Sequence, residues 1–178
     1  GNIMIDSLVR FRDKAQKSEI LEKYSLDEQK YALITLHRPS NVDNKRGFEI
    51  ILDAFAEISK HIKLVFPIHP RSKKQLKTFN LTEKVEKCKD LLLIEPVGYY
   101  DFIKLQMESK FILTDSGGIQ EESTFMGIPC LTLRKQTERP ITITEGTNKL
   151  VKLKTKNIID AAMTIIEGNY KQGKIPQY

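Results

Sequence analysis

Cysteine is scarce in this sequence. Cys88 and Cys130 are the only two among 178 residues, and no Cys-x-x-Cys pair occurs. This excludes a disulfide framework and predicts two buried or half-buried thiols in a reducing cytoplasm. Glycine and proline are few, nine and seven, and 40% of residues are hydrophobic against 29% charged. Collagen-like repeats and a disordered chain are therefore excluded. No apolar run approaches the ~20 residues of a membrane span. The opening Gly1-Asn2-Ile3-Met4-Ile5-Asp6 has no basic segment followed by an apolar one, so no signal peptide is expected. There is no internal repeat and no low-complexity tract.

The length suits one soluble domain of roughly 100–200 residues. Such a chain can bury about two-thirds of its unfolded surface without a staple. Lysine and arginine number 29 against 23 acidic residues, a net charge of +6. The lysines are spread out, with small clusters at Lys73-Lys74 and Lys152 to Lys156. No basic face with interleaved aromatics is visible, which argues against nucleic-acid binding. The positive balance suits an anionic small ligand instead.

Along the chain, Ile5 to Tyr24 reads as an amphipathic linker helix with irregular spacing. Short apolar runs then alternate with helical patterns. Strands are expected at Tyr31–Leu36, Lys63–Ile68, Leu91–Ile94, Phe111–Thr114 and Pro129–Leu133, with a sixth at Lys149–Lys152. Helices are expected at Arg46–Lys60, Ser72–Lys77, Tyr99–Lys110, Gly117–Met126 and Thr155–Glu167, the last ended by Gly168. This alternation predicts an α/β fold: βαβ units around a parallel sheet, its strands buried on both faces. The boundaries suggest a linker over 1–24, the domain proper over 25–168 and a polar, loose tail over 169–178.

In such sheets ligands bind beyond the carboxyl ends of the strands. His37, His69, the run Asp115-Ser116-Gly117-Gly118 and the stretch Arg134 to Arg139 all follow predicted strands. Two glycines opening a helix allow close backbone approach, and the free N–H groups of the first turn favour a phosphate. Ser116 can donate a hydroxyl or cap the helix. Glu121 or Glu122, one turn in, can accept ribose hydroxyls or simply complement the helix dipole; residue chemistry leaves both open. Neither Gly-x-Gly-x-x-Gly nor Gly-x4-Gly-Lys-Ser/Thr occurs, which argues against NAD-dependent redox chemistry and P-loop hydrolysis. His37-Arg38 can grip a phosphate, and Arg139 can join it. Tyr99, Tyr100 and Phe102 fit either a base pocket or a packed helix face. Three scattered histidines give no metal-site signal, and no base-and-nucleophile pair is legible.

In combination these motifs resemble the UDP-N-acetylglucosamine 2-epimerases. The residues that carry the resemblance are Glu95-Pro96-x-x-Tyr99-x-x-Phe102, Thr114-Asp-Ser-Gly-Gly-Ile-Gln-Glu-Glu122, Gly127-x-Pro129, Arg134-x-x-Thr137-Glu-Arg-Pro140 and Gly146-Thr147. Thr35-Leu36-His37-Arg38-x-x-Asn41, Pro67-x-His69-Pro70 and the opening Gly1-Asn2-x-x-Ile5-Asp6 fit the same family, the last as its interdomain hinge. The chain departs from it at Ser40 and at Arg71-Ser72.

The resemblance implies a Rossmann-like three-layer domain, the C-terminal half of a glycosyltransferase-B-type fold, with UDP-sugar in the cleft between halves. It implies that Ser116, Gly117 and Gly118 hold the diphosphate and Glu122 the ribose. His37, as a catalytic residue, and Arg139 would lie near the phosphates, and Val97 and Phe102 beside the uracil. The implied reaction converts UDP-GlcNAc to UDP-ManNAc by elimination and re-addition of UDP, with no cofactor or metal. A hydrolysing epimerase that releases ManNAc and a UDP-sugar glycosyltransferase are the alternatives. The resemblance also implies a cytoplasmic homodimer at full length, with no nucleic acid or membrane partner. The carboxylates for proton transfer would belong mainly to an N-terminal domain, so this chain alone would be inactive.

Overall fold

The computed structural model describes residues 3–175. Gly1 and Asn2 of the expected hinge, and residues 176–178, lie outside them.

Six strands form one all-parallel sheet: β1 (Tyr31–Thr35), β2 (Lys63–Pro67), β3 (Leu91–Ile94), β4 (Phe111–Thr114), β5 (Cys130–Thr132) and β6 (Asn148–Leu150). Their order is β3-β2-β1-β4-β5-β6. The chain builds outward from β1 to β3, then returns to the middle and builds the other way from β4. β1 pairs with β4 from Ala32↔Phe111 to Thr35↔Thr114. This is the switch point, where flanking connections diverge and leave a crevice above the strand ends.

Alternation along each strand feeds two cores. Ala32, Ile34, Leu64, Phe66, Phe111, Leu113 and Leu131 meet Phe48, Ile51, Phe55, Ile158 and Ala162. Those partners lie on α4 (Lys45–Ile58) and α10 (Thr155–Ile166). On the other face Tyr31, Leu33, Val65, Ile112 and Cys130 meet Leu105 and Ile119. These belong to α7 (Tyr99–Glu108) and α8 (Gly117–Met126). The layering is the expected helix–sheet–helix sandwich.

The opening segment is not one linker helix. It forms α1 (Ile3–Gln16) and α2 (Ile20–Lys23), separated at residues 17–19, where the Ser18 hydroxyl donates to Asp101. That break explains the irregular spacing of its apolar residues. Leu8 and Ala15 are buried against Ile103 of α7, so α1 belongs to the helical layer. The tail is tied down as well. The Tyr170 hydroxyl donates to the Thr147 carbonyl at 2.7 Å, and the Lys174 N–H to Glu145. The polar composition of the tail gave no sign of these backbone anchors.

Short helices α3 (Pro39–Val42), α5 (Pro70–Thr78), α6 (Thr82–Glu86) and α9 (Ile141–Thr144) complete the chain. Three of them, α3, α6 and α9, are too short to show a period in sequence. Both cysteines are buried and free of any disulfide, and burial pushes each thiol up to about 11.

Gly47 sits in the first turn of α4 where α3 crosses it. A Cβ there would lie 2.8 Å from the Ser40 carbonyl oxygen and 3.3 Å from that of Asn41. Both are backbone, so the helices must part. Gly47→Ala is expected to cost about 1–3 kcal/mol through overpacking. This would be read as a lower urea midpoint at unchanged slope. An unchanged midpoint would show that α3 gives way freely.

Candidate functional site

The loops after β1 and β4 are joined by one buried carboxylate. Asp115, 2% exposed, accepts the His37 backbone N–H at 3.1 and 3.2 Å, the Arg38 N–H at 2.9 Å and the Asn41 side-chain amide at 2.9 Å. Sequence reading placed Asp115 in the motif without a role of its own; the structure makes it the clamp of the crevice. It fixes where His37 emerges. The His37 imidazole is exposed, with Nε2 2.9 Å from the Thr35 hydroxyl.

Ser116 is the N-cap of α8, with extended backbone at φ −92°, ψ 134°. Its side chain makes no capping bond; its N–H instead donates to the Thr114 hydroxyl at 3.0 Å. The hydroxyl is therefore not used as a helix cap, and the first-turn N–H groups at Gly117 and Gly118 keep their outward dipole.

Arg139 folds back over this turn. Its Nε donates to Glu121 at 2.6 Å, and its Nη1 lies 2.7 Å from where a Gly117 Cβ would stand. Arg134 Nη1 is 3.7 Å from the same point. The Arg139 guanidinium thus occupies the space a Gly117 side chain would take, and a larger residue there would push it aside. The loop carrying Arg139 is held by Gln120, whose amide oxygen accepts from Thr137 at 2.6 Å and from Asn148 at 2.9 Å. Residue chemistry alone left Glu121 and Glu122 open, the family resemblance pointing to Glu122 for the ribose; in the structure Glu121 holds Arg139, while Glu122 accepts from Gln106 at 2.8 Å.

Burial pushes the Glu122 carboxyl above its ordinary 4.5; the Gln106 hydrogen bond opposes this and the neighbouring Glu121 charge adds to it. Because the folded value exceeds the unfolded one, the folded protein holds more protons between them. Stability attributable to Glu122 is present below 4.5 and is lost as pH rises through the folded value. Glu122→Gln should remove this loss. Urea titrations of the two proteins would show wild type falling relative to the variant from about pH 4.5 upward. A difference that stays flat across that window would contradict the assignment.

Val97 and Phe102 are partly buried against the cluster that contains Ile119 of α8, placing them on the cradle's side of the sheet. Tyr99 and Tyr100 are exposed on the same helix as Phe102. Both stack edge-on against Phe11 of α1, at 6.0 and 5.7 Å. His69 caps α5, its Nδ1 accepting the Arg71 N–H at 3.1 Å, and His61 faces Glu57 on the surface. Neither joins the crevice through any contact among the described residues. There, too, no group of three or more His, Cys, Asp or Glu side chains can hold a metal, and no helix is long and apolar enough to cross a membrane.

A family profile described as UDP-N-acetylglucosamine 2-epimerase matches residues 1–177. A UDP-N-acetylglucosamine 2-epimerase of Methanocaldococcus jannaschii is 38% identical over 98% of this chain and 51% of its own. The crystal structure of the Methanocaldococcus jannaschii UDP-GlcNAc 2-epimerase in complex with UDP-GlcNAc and UDP superposes with a TM-score of 0.84 at 40% identity. It covers 97% of this chain and 49% of that one. A UDP-2,3-diacetamido-2,3-dideoxy-D-glucuronate 2-epimerase of Pseudomonas aeruginosa is 35% identical over 92% of this chain and 44% of its own. The chain spans about half the length of these relatives.

Proposed function

The chain belongs to the UDP-N-acetylglucosamine 2-epimerase family, and from that premise we propose that it is the UDP-binding half of an enzyme inverting C2 of UDP-GlcNAc. The observation that carries this reading is the convergence of Arg139, Arg134 and the α8 N-terminus on Gly117. Two guanidiniums and a helix N-terminus form a donor set suited to a diphosphate.

In the proposed reaction the C2–H proton is removed, the C1–O bond breaks and UDP departs, leaving a glycal. UDP then re-adds to C1 as C2 is protonated from the other face. Stabilising departing UDP is electrostatic work. Gly117 and Gly118 N–H groups, the Ser116 hydroxyl and Arg139 would take the diphosphate charge. His37, set at the crevice by Asp115, would donate to it. Glu122 would accept the ribose hydroxyls, and Val97 and Phe102 would flank the uracil. The acids and bases acting at C2 would come from the other half of the full-length enzyme. Homodimer formation and a cytoplasmic setting belong to the same proposal.

The Pseudomonas relative supports a second reading, in which the sugar is a different 2-acetamido sugar on the same UDP handle. Hydrolytic release of ManNAc is distinguished by product analysis of the full-length enzyme.

The test is direct. UDP titrated into this chain should shift the amides of residues 115–118 and 139 while UDP-GlcNAc stays unconverted; joined to its other half, the protein should interconvert UDP-GlcNAc and UDP-ManNAc. Robust conversion by this chain alone, or UDP bound elsewhere, would refute the assignment.

A further inference from the structure

A buried side-chain network centred on Asn148 runs to the loop that carries Arg139. Asn148 opens β6 and is 0% exposed. Asparagine is depleted in strands, and a buried amide is costly unless its polar atoms are paired. Each is paired here. The Asn148 side-chain oxygen accepts the Thr132 hydroxyl at 2.5 Å. The amide nitrogen donates to the Gln120 side-chain oxygen at 2.9 Å and to the Thr142 hydroxyl at 3.2 Å.

The network ends on the Arg139 backbone from both sides. The Thr137 hydroxyl donates to Gln120 at 2.6 Å and accepts the Arg139 N–H at 3.0 Å. The Thr142 hydroxyl donates to the Arg139 carbonyl at 2.7 Å. One amide group therefore supplies two arms, one through Gln120 and Thr137, the other through Thr142. Its orientation is set, because turning it over would bring its oxygen against that of Gln120. At the other end of the side chain, the Arg139 Nε is held by Glu121 at 2.6 Å. The guanidinium thus has a fixed base and a fixed head. Such fixing matters chemically, since a misplacement of about 1 Å spoils the alignment on which a guanidinium fork depends.

We infer that Asn148 is the positioning residue of Arg139, holding its backbone so that the guanidinium stands over Gly117. The consequence for UDP rests on the UDP reading above; the consequence for Arg139 itself does not.

The experiment follows Arg139 and UDP separately. The NMR signal of the Arg139 Nε–H is recorded without ligand in wild type, Asn148→Ala, Thr142→Val and Thr142→Ser. UDP affinity is then measured by titration in the same proteins and in Arg139→Ala with and without Asn148→Ala. Wild type should give a sharp signal. Asn148→Ala and Thr142→Val should broaden it, and Thr142→Ser, which keeps the hydroxyl, should restore it. UDP affinity should fall about tenfold in Asn148→Ala, the low end of what a charge-assisted hydrogen bond is worth. In the Arg139→Ala background the same change should cost less than about twofold, because its effect runs through Arg139. Thr155→Val removes a hydroxyl bonded to the Ile50 carbonyl at 3.0 Å in α10; it controls for lost stability alone and should leave both readouts as in wild type. Should Asn148→Ala fail to fold, Thr142→Val, which keeps the side chain's shape, carries the test. If wild type binds no UDP, the UDP reading fails, and a broadened Arg139 signal in the variants still supports the positioning role. A folded Asn148→Ala or Thr142→Val with a wild-type Arg139 signal overturns the inference. So does a loss of UDP affinity that is the same with and without the Arg139 guanidinium.

Discussion

Replacing Arg139 by alanine should weaken UDP binding roughly 100-fold. A charge-assisted hydrogen bond is worth about 1.5–3 kcal/mol net, or about 10–150-fold in affinity. The upper part of that range applies here because of Glu121. Its carboxylate, in a residue 8% exposed, sits 2.6 Å from the Arg139 Nε. Without the guanidinium it presents a negative charge to the phosphates from a poorly screened position. The same logic predicts a partial rescue: Glu121→Gln in the Arg139→Ala background should recover about tenfold by removing that repulsion. Arg139→Lys keeps the charge but not the planar fork, so it should fall in between. Calorimetric titration with UDP measures all four proteins. An Arg139→Ala protein within twofold of wild type would mean that the diphosphate is held elsewhere.

Asp115→Ala should be the most destabilising of the crevice substitutions, by about 2–4 kcal/mol. Its carboxylate collects the His37 and Arg38 N–H groups and the Asn41 amide, and Asn41 is itself 3% exposed. Removing the acceptor strands several donors at once, the buried Asn41 amide among them. For a chain of this size that corresponds to a fall in Tm of roughly 5–15 °C. Asp115→Asn keeps the volume but turns an N–H pair toward donors, so an intermediate loss is expected. Both variants should also weaken UDP binding, since the β1 loop would no longer be tied to the β4 turn. Thermal melts with and without UDP test this. A loss below about 1 kcal/mol would show that water replaces the carboxylate without penalty.

The order of strands and helices was legible because burial writes itself into sequence. Leu91–Ile94, Phe111–Thr114 and Gly117–Met126 stand where their apolar runs place them. A strand covered on both faces must be continuously apolar, and a helix between such strands must have one apolar face. The sixth strand was shifted, Asn148–Leu150 in place of Lys149–Lys152, because three residues carry too little pattern to set a boundary. The break between α1 and α2 was missed because a side-chain contact from Ser18 to Asp101, 83 positions away, leaves no periodic trace.

By itself, then, the sequence determined the parallel α/β architecture, the family and the glycine turn at the head of α8. Each follows from local composition or from a contiguous motif. Only the tertiary structure decided that Asp115 clamps His37, that Glu121 rather than Glu122 holds Arg139, and that Tyr99 and Tyr100 face Phe11. It alone set Asn148 against Gln120. These are pairings between residues far apart in the chain, fixed by which strand lies beside which. The placement of β4 next to β1, with 75 residues between Thr35 and Phe111 as numbered, is the step that no local pattern encodes.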